Sequence, residues 1–374
     1  MKLLKKAIVF TALCISVVFA DMRETVTKIG EEGFKGYFGT PVVTIIGTGM
    51  NSGWHISSKP YSFLGMPFGV SIGTINIPIM TLDNSLQVFE WKGSLPLQAL
   101  IGDQVPAFLA GSLPESIDVI LKDVPTFLGS DEKPVYTYRE LLADNPESEG
   151  NKLLDSLINA SPDINIDDSV TIPIQGIGNT LEDFLLIPAF PVLGNQINVG
   201  ISSIPIIENA TLGFRMLPSY DQDEVEFSYW GFSLLHDYSY LLPVPEDLHL
   251  GGQFAYTNMG LTAPKVDLDI DSWILMATAS YDLSLFIGMG VYGGLGIEGT
   301  NMGVVIDPVE IKDSQGKIID ETDKITLEIP GDNLFRMQMG ARVSLPPFDF
   351  YYDYNLGSNT IHNLGVTLIG LNGL

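Results

Sequence analysis

Apolar and polar residues alternate through the last forty residues of the sequence. Between residues 335 and 345 the odd positions are apolar and the even positions are polar or glycine. The stretches 348–356 and 363–368 show the same alternation. Successive side chains of a β-strand point to opposite sides, so this period predicts strands with one apolar and one polar face. The pattern predicts three consecutive strands at the end of the chain.

The same alternation recurs upstream and predicts nine strands from residue 196 onward. Of the six additional stretches, 196–202, 211–217, 248–257, 272–282 and 285–298 alternate, whereas 224–238 is long and aromatic and does not reveal which residues share a face. Earlier in the sequence, residues 41–49 and 68–80 also favour strands, and residues 85–92 favour a weaker one. Single-chain bacterial β-barrels usually have even strand numbers, so three or five strands are expected from the N-terminal half, for a total of about 12–14.

The connections between the predicted strands differ in length on the two sides of the sheet. Four of them are short, at 205–208, 241–247, 282–284 and 346–347. The intervening ones, at 219–224, 261–271 and 300–332, are longer or more acidic. Short periplasmic turns and longer outer loops are typical of transmembrane β-barrels. The sequence therefore predicts an all-β fold, a transmembrane antiparallel β-barrel of about 12–14 strands with a partly helical N-terminal insertion or plug.

The N-terminal half adds a targeting signal and two segments of different character. Residues 1–20 carry Lys2, Lys5 and Lys6 before an apolar run and small residues before Asp21, which predicts a cleaved signal peptide and localisation to the bacterial cell outer membrane. We expect 21–40 to form a polar, helical periplasmic or plug segment and 41–374 the barrel. Residues 95–160 lean helical, at 99–113, 116–122, 138–142 and 153–158, and predict an inserted plug, lid or large loop. The alternative is a small independent domain.

The charge balance limits the partners. The formal net charge is −26, and removal of the signal peptide with its three lysines and no acidic residue lowers it to −29. So acidic a chain does not suit nucleic acid, because phosphate binding needs a basic face. The mean hydropathy is nevertheless +0.24. Acidity together with hydrophobicity suits an apolar belt that contacts outer-membrane lipid, with acidic loops outside it.

Several short motifs, taken in order, carry a resemblance that covers about half of the chain. They are Asn51-Ser-Gly-Trp54, Lys59-Pro60, Gln196-Ile-Asn-Val-Gly-Ile201, Leu212-Gly-Phe-Arg-Met-Leu-Pro218, Tyr229-Trp-Gly-Phe232, Leu241-Leu-Pro-Val-Pro245, Gly331-Asp-Asn-Leu-Phe-Arg336 and Asp353-Tyr-Asn-Leu-Gly357. With them the chain resembles an uncharacterised family of bacterial outer-membrane β-barrels, itself similar to the long-chain fatty-acid transporters. The resemblance implies a barrel and names no ligand. Two features depart from it: the chain ends without a terminal aromatic residue, and 95–160 has no counterpart.

Motifs for catalysis or metal binding are not evident. The four histidines, His55, His236, His249 and His362, are far apart in the sequence and lack metal-ligand spacing. There is no Gly-x-Ser-x-Gly elbow, phosphate-binding loop or zinc signature. The acidic runs at 267–271 and 320–323 lack the glycine-turned loop of a calcium site and are interpreted as solvated loops. We therefore predict that the protein is not an enzyme and has no cofactor or metal.

Charged residues on the polar faces of the predicted strands are the candidate functional residues. A charge that points into lipid at mid-depth costs ~2–4 kcal/mol for Arg, so these side chains are expected to line the lumen. The candidates are Arg215, Glu298, Arg336, Arg342, Asp349 and Asp353. They would serve either as salt-bridged filler or as a charged constriction that selects solutes. A cross-strand pair between Arg342 and Asp353 is expected.

Three hypotheses for function follow from these observations. The first is an outer-membrane barrel that passes a small hydrophobic or amphipathic solute through a gated lumen, with the N-terminal segment or the insertion as a plug. The second is a closed structural or surface-interaction barrel without transport. The third is a soluble secreted β-sandwich that binds through its loops. The sequence leaves the oligomeric state and the solute open.

Overall fold

The computed structural model describes most of the C-terminal half and parts of the N-terminal half. The described residues are 31–60, 68–81, 87–96, 116–126, 129–130, 132–137, 140, 152, 155–156, 169–171, 195–201, 209–222, 225–284, 288–308, 310–312, 318–321, 323–345 and 348–368. By backbone contacts the chain divides into two compact units. The first contains Val42–Asp83 and Glu182–Leu374, and the second contains Ala20–Pro41 and Asn84–Leu181.

Helical residues 31–34 and a π-helical turn, Lys35–Gly39, directly precede the helix α1, Thr40–Met50. A 3₁₀ turn spans Ser239–Leu241. The strands, in chain order, are β1 (Phe68–Thr81), β2 (Val88–Pro96), β3 (Ser116–Pro125), β4 (Val135–Thr137), β5 (Ser169–Thr171), β6 (Asn195–Ile201), β7 (Ala210–Gln222), β8 (Val225–Asp237), β9 (Leu248–Ala263), β10 (Val266–Ser284), β11 (Gly288–Ile306), β12 (Glu310–Lys312), β13 (Ile318–Glu321), β14 (Ile325–Pro330), β15 (Phe335–Leu345), β16 (Phe348–Leu356) and β17 (Thr360–Leu368).

Ten of these strands form a closed antiparallel ring in the first unit. The order around it is β10-β9-β8-β7-β6-β1-β17-β16-β15-β11, and β11 pairs again with β10. The last strand is joined to the rest of the ring through β1, which pairs with β17 on one side and β6 on the other. β14 pairs with residues Asn301–Ile306 of β11. A closed ring leaves no free sheet edge, as a membrane-spanning sheet requires.

The ring confirms the predicted antiparallel barrel, and nine of its strands are those predicted from residue 196 onward. The stretch 300–332, expected to be a connection, contains the three further strands β12, β13 and β14. The strand total differs, because within the described residues the N-terminal half contributes one ring strand, β1, rather than three or five. The resulting number, ten, is still even. Two pairs of N-terminal strands, β2–β3 and β4–β5, form separate hairpins in the second unit instead.

Two local predictions in the N-terminal half were wrong. Residues 116–122 were expected to be helical, but they belong to the strand β3, Ser116–Pro125, which pairs with β2 in the second unit. Val119, Leu121 and Val124 of β3 are buried, as is Trp91 of β2, which is opposite Leu121. Residues 41–49 were expected to form a strand, but they belong to α1. Of the helical stretches expected in 95–160, residues 99–113 lie outside the described residues.

The outer face of the ring carries a belt of exposed apolar side chains. On β10 the belt runs from Trp273 to Leu283 through Leu275 and Tyr281. Ten residue steps at ~3.3 Å, along a strand tilted by about 40°, give a height of ~25 Å, which is that of the lipid-facing band of outer-membrane barrels. Other members are Phe214, Phe232, Leu234, Phe254, Val291, Leu295, Phe335, Met339, Phe348, Phe350, Tyr352 and Leu364. In the described part of the chain, no helix is long and apolar enough to cross a membrane.

Beyond Trp273, at the end of the belt that we call its upper edge, the sheet continues as a region that we call the extension. It includes residues 261–271 of β9 and β10, Asn301–Ile306 of β11 and Ile325–Pro330 of β14. Residues 261–271, expected to be a loop, are strand apart from a tight turn at Lys265, whose φ is 72°. On the outer face of β10, Asp267 and Asp269 are exposed, whereas on its inner face Leu268 and Ile270 are buried. The outward face of β10 therefore changes from apolar to acidic at the upper edge of the belt.

Candidate functional site

The N-terminal segment 42–59, which we call the plug, lies inside the ring. Its contacts follow the inner face of β10 in order. The Ser272 hydroxyl donates to the Gly47 carbonyl at 3.3 Å, and the Ser58 hydroxyl donates to Thr278 at 3.0 Å. The Ser58 amide donates to the Ser280 hydroxyl at 2.9 Å. The plug therefore runs through the lumen from the extension toward the opposite end of the barrel.

Two lumen arginines bind the C-terminal end of α1. The Arg336 guanidinium donates to the Thr48 carbonyl at 2.6 Å, and that of Arg215 donates to the Met50 and Ser52 carbonyls at 3.4 and 2.8 Å. Carbonyls in the last turn of a helix lack intrahelical partners and carry the negative end of the helix dipole. Because the last turn has no basic residue of its own, the barrel wall supplies the capping charge.

The helix is followed by a turn that places Trp54 against the wall. Gly53 has a φ of 66°, a left-handed conformation that suits glycine just after a helix. The Arg215 guanidinium carbon lies 3.9 Å from the centroid of the Trp54 ring, which is a cation–π contact. A side chain at Gly231 would begin 3.0 Å from this ring, so the missing side chain makes room for it. Trp54 also packs with Ala255, Ile274 and Met276.

Farther along, the plug contacts the wall through His55 and Ile56. The His55 Nδ1 atom lies 3.3 Å from Gln338 Oε1, and the Gln338 amide donates to the His55 carbonyl at 3.1 Å. Ile56 packs with Tyr292 and Tyr351. No role for His55 is evident from the sequence. Its place directly after the Asn51-Ser-Gly-Trp54 motif is the signal that could have drawn attention to it.

A fully buried ion pair connects the plug to two strands. Arg336 on β15 and Glu298 on β11 are 2.9 Å apart, with side chains 2% and 0% exposed. The Asn51 amide donates to the same Glu298 oxygen at 3.1 Å and to the Trp273 carbonyl at 3.1 Å. A buried pair of this kind is satisfied only when its remaining hydrogen bonds are made. Here residues of the plug make several of them.

Arg342 has a different partner from the one expected. Its guanidinium donates to Asp282 on β10, and Lys59 of the plug lies 3.6 Å from the other Asp282 oxygen. The predicted pair with Asp353 is wrong because the register sets Arg342 opposite Tyr351 and Asp353 opposite Gly340.

Asp353 is enclosed by neutral hydrogen-bond donors. It accepts from the Tyr292 hydroxyl at 3.1 Å, from the Asn363 amide at 3.5 Å and from the Asn355 amide. Asp349 is also buried. The structure thus places five of the six candidate residues, Arg215, Glu298, Arg336, Asp349 and Asp353, in the buried interior and Arg342 in a half-buried position. It joins Arg336 to Glu298 and leaves Arg215 bound to the plug.

The other histidines lie apart from one another. His249 forms a 2.8 Å contact with Asp237, and His362 lies 2.7 Å from the Tyr352 hydroxyl. His236 stacks on Tyr238 with ring centroids 4.5 Å apart. Across the described ranges, no group of three or more His, Cys, Asp or Glu side chains could hold a metal ion.

The closed antiparallel ring, its apolar belt and its polar, plugged interior define the protein as a β-barrel of the outer-membrane type. The chain belongs to a family of unknown function, DUF6588, whose model matches residues 1–369. This agrees with the expected uncharacterised barrel family, while the narrower likeness to fatty-acid transporters stays a hypothesis. No curated protein matches the sequence.

Two solved structures show faint likeness. The translocator domain of the autotransporter NalP from Neisseria meningitidis is 14% identical, with 47% of this chain and 79% of that chain covered and a TM-score of 0.23. The β domain of the Bordetella autotransporter BrkA is 10% identical, with 47% and 91% covered and a TM-score of 0.13.

Proposed function

We propose that the protein is an outer-membrane barrel gated by its plug, and that a small hydrophobic or amphipathic solute passes through the lumen when the plug moves. The observation that carries this proposal is the polar character of the contact between the plug and the wall. Hydroxyl, amide and carbonyl groups make most of the contacts given above, and Trp54 and Ile56 supply the apolar ones.

A polar contact of this kind is suited to reversible opening. Water that enters the lumen replaces the lost hydrogen bonds, and the net contribution of each is about 0.5–1.5 kcal/mol. An apolar core of the same size would lose its burial energy without such replacement. The wall at Thr278, Ser280 and Gln338 would remain compatible with water after the plug has moved.

A second candidate, a closed structural or surface-interaction barrel, is favoured by a different observation. Arg336 binds both Glu298 and the plug carbonyl of Thr48. Removal of the plug would leave this buried pair with fewer partners, which opposes opening. The two candidates therefore differ in whether the plug leaves its contacts while the barrel remains folded.

A reversible disulfide between plug and wall tests the proposal. Ser58→Cys with Thr278→Cys joins positions whose hydroxyl oxygens are 3.0 Å apart. The matched control, Ser272→Cys with Thr300→Cys, joins hydroxyls 2.9 Å apart on the two wall strands β10 and β11. Both are made with Cys14→Ser, which removes the only native cysteine. Uptake of the hydrophobic dye N-phenylnaphthylamine by expressing cells, and the conductance of the purified protein in planar bilayers, are measured before and after reduction.

The gated barrel predicts that the plug-to-wall disulfide lowers dye uptake and conductance and that reduction restores both. The wall-to-wall control should not respond to reduction. Equal, background-level uptake and conductance in the wild type and in both oxidised and reduced variants would support the closed barrel instead.

A further inference from the structure

The direction of the plug through the lumen identifies where the chain enters the barrel. Near its start, the Thr44 hydroxyl accepts from the Asp332 amide at 2.7 Å, beside the extension. At its end, Lys59 lies 3.6 Å from Asp282, next to the connection between β10 and β11. We call the first of these ends the loop end and the second the turn end. The chain therefore enters at the loop end and leaves at the turn end.

The position of β1 in the wall is consistent with this direction of the plug. β1 begins at the turn end, where Phe68 is opposite Ile201, the last residue of β6. Only residues 60–67 separate the plug from β1. The nine residues 51–59 can span up to ~30 Å when extended, which is enough to cross a belt of ~25 Å. The chain thus passes once down the lumen and then turns back into the wall.

The connections identify the outer side of the membrane. At the turn end the connections are 202–209, 238–247, 285–287 and 346–347, of which the longest has ten residues. At the loop end, 223–224, 264–265 and 357–359 are equally short, but the segment 82–194, between β1 and β6, and the segment 307–324, which includes the β12–β13 hairpin, are longer than any connection at the turn end. In outer-membrane barrels the short turns face the periplasm and the longer loops face outward. The loop end is therefore the outer end.

From these three observations we infer that the barrel carries its own N-terminal segment through its lumen and presents it on the outer surface of the cell. The segment in question is the helical stretch 31–39, directly before α1. Surface presentation is a function additional to solute passage, and it holds whether or not the plug moves. It also differs from the expectation that 21–40 forms a periplasmic or plug segment.

Accessibility of single cysteines on intact cells tests this inference. In the full-length Cys14→Ser protein, Glu32→Cys is the test position, because Glu32 is exposed. Asp267→Cys, in the extension, is the loop-end control, and Glu246→Cys, in the connection between β8 and β9, is the turn-end control. Cells are treated with a membrane-impermeant maleimide–polyethylene glycol before or after permeabilisation of the outer membrane. The fraction with lower gel mobility is measured.

We expect Glu32→Cys and Asp267→Cys to be modified on intact cells, and Glu246→Cys only after permeabilisation. Modification of Glu32→Cys only after permeabilisation, together with Glu246→Cys, would overturn the inference. Reaction in the detergent-solubilised folded protein provides the reference for thiol reactivity. If Glu32→Cys does not react there, Glu31→Cys, which is also exposed, takes its place.

Discussion

The barrel wall within the belt and the extension above it share strands, but their outward faces have opposite polarity. On β10 the outward side chains Leu275 and Tyr281 of the belt are apolar, whereas Asp267 and Asp269 of the extension are acidic. Facing inward, the belt region is mixed, since Thr278 and Ser280 hydrogen-bond to the plug and Ile274 and Met276 pack on Trp54, whereas Leu268 and Ile270 of the extension are buried apolar residues. The pleat is unbroken between the two regions, so the surroundings determine which face is apolar.

The change of polarity marks the upper edge of the apolar belt. Asp271 is followed two residues later by Trp273, with both side chains on the outer face. Acidic groups are stable in water and costly in hydrocarbon, and tryptophan favours the boundary between the two. The outer acids of the extension are also held by amide donors, since Asn258 donates to Asp269 and Asn301 to Glu328, each at 2.6 Å. The extension thus has the outer surface of a sheet in water, whereas the belt has the outer surface of a barrel in lipid.

The largest expected effect concerns the charged interior of the belt region. Arg336→Met should destabilise the protein by about 3–5 kcal/mol, because it leaves Glu298 buried without its cation. Urea unfolding in lipid vesicles measures the change. The double variant Arg336→Met with Glu298→Gln should recover a large part of the loss. Equal losses in the single and double variants would show that the arginine acts mainly through the helix carbonyl of Thr48.

The outer face of β10 should tolerate a cation in the extension but not in the belt. Leu275→Arg places a cation in the belt and should cost ~2–4 kcal/mol, whereas Asp269→Arg, on the same outer face of β10, should change stability by less than about 1 kcal/mol. The heat-modifiable gel shift of folded barrels reports assembly for both variants. If Asp269→Arg impaired assembly as much as Leu275→Arg, the outer face of the extension could not be in water.

The sequence was sufficient to predict the ring strands because a barrel in lipid repeats one local signal along every strand. In β16 the alternation from Phe348 to Leu356 decides both the strand and its outward face without any distant contact. Upper β10 keeps the same period, but its alternating aspartates were interpreted as a loop. The sequence pattern alone does not say which solvent lies outside.

The plug could not be predicted for a different reason. Residues 42–46, Val-Val-Thr-Ile-Ile, are rich in β-branched side chains that favour strands, yet they form part of α1. Their conformation depends on tertiary contacts with the wall, such as the capping of α1 by Arg215 and Arg336. The charged residues of the lumen could be chosen from their strand faces. The partners of these charged residues could not be predicted, because the partners depend on strand register and on the plug. Arg336, for example, bonds to Thr48, which is nearly three hundred residues earlier in the chain.

A smaller effect is expected from glycines that make room for aromatic rings in the belt region. Gly340 is opposite Tyr292, and a Cβ atom there would lie 2.4 Å from the Tyr292 ring. Gly340→Ala should therefore cost about 1–3 kcal/mol by overpacking. Gly303→Ala, in the extension, is the control, since its nearest neighbour, a Glu328 oxygen, is 3.8 Å away. Both are compared by urea unfolding, and equal costs would mean that the ring at Tyr292 moves aside freely.

The smallest expected effect lies at the turn end of the plug. Lys59 is 3.6 Å from Asp282, and its side chain is 51% exposed, so solvent screens the pair. Exposed pairs contribute about 0–1 kcal/mol, and Lys59→Ala should lower the free energy of unfolding by no more than this. Arg342 is only 17% exposed and binds the same carboxylate, so Arg342→Ala should cost more than Lys59→Ala under identical urea unfolding. A larger loss for Lys59→Ala would show that the plug, rather than the wall, neutralises Asp282.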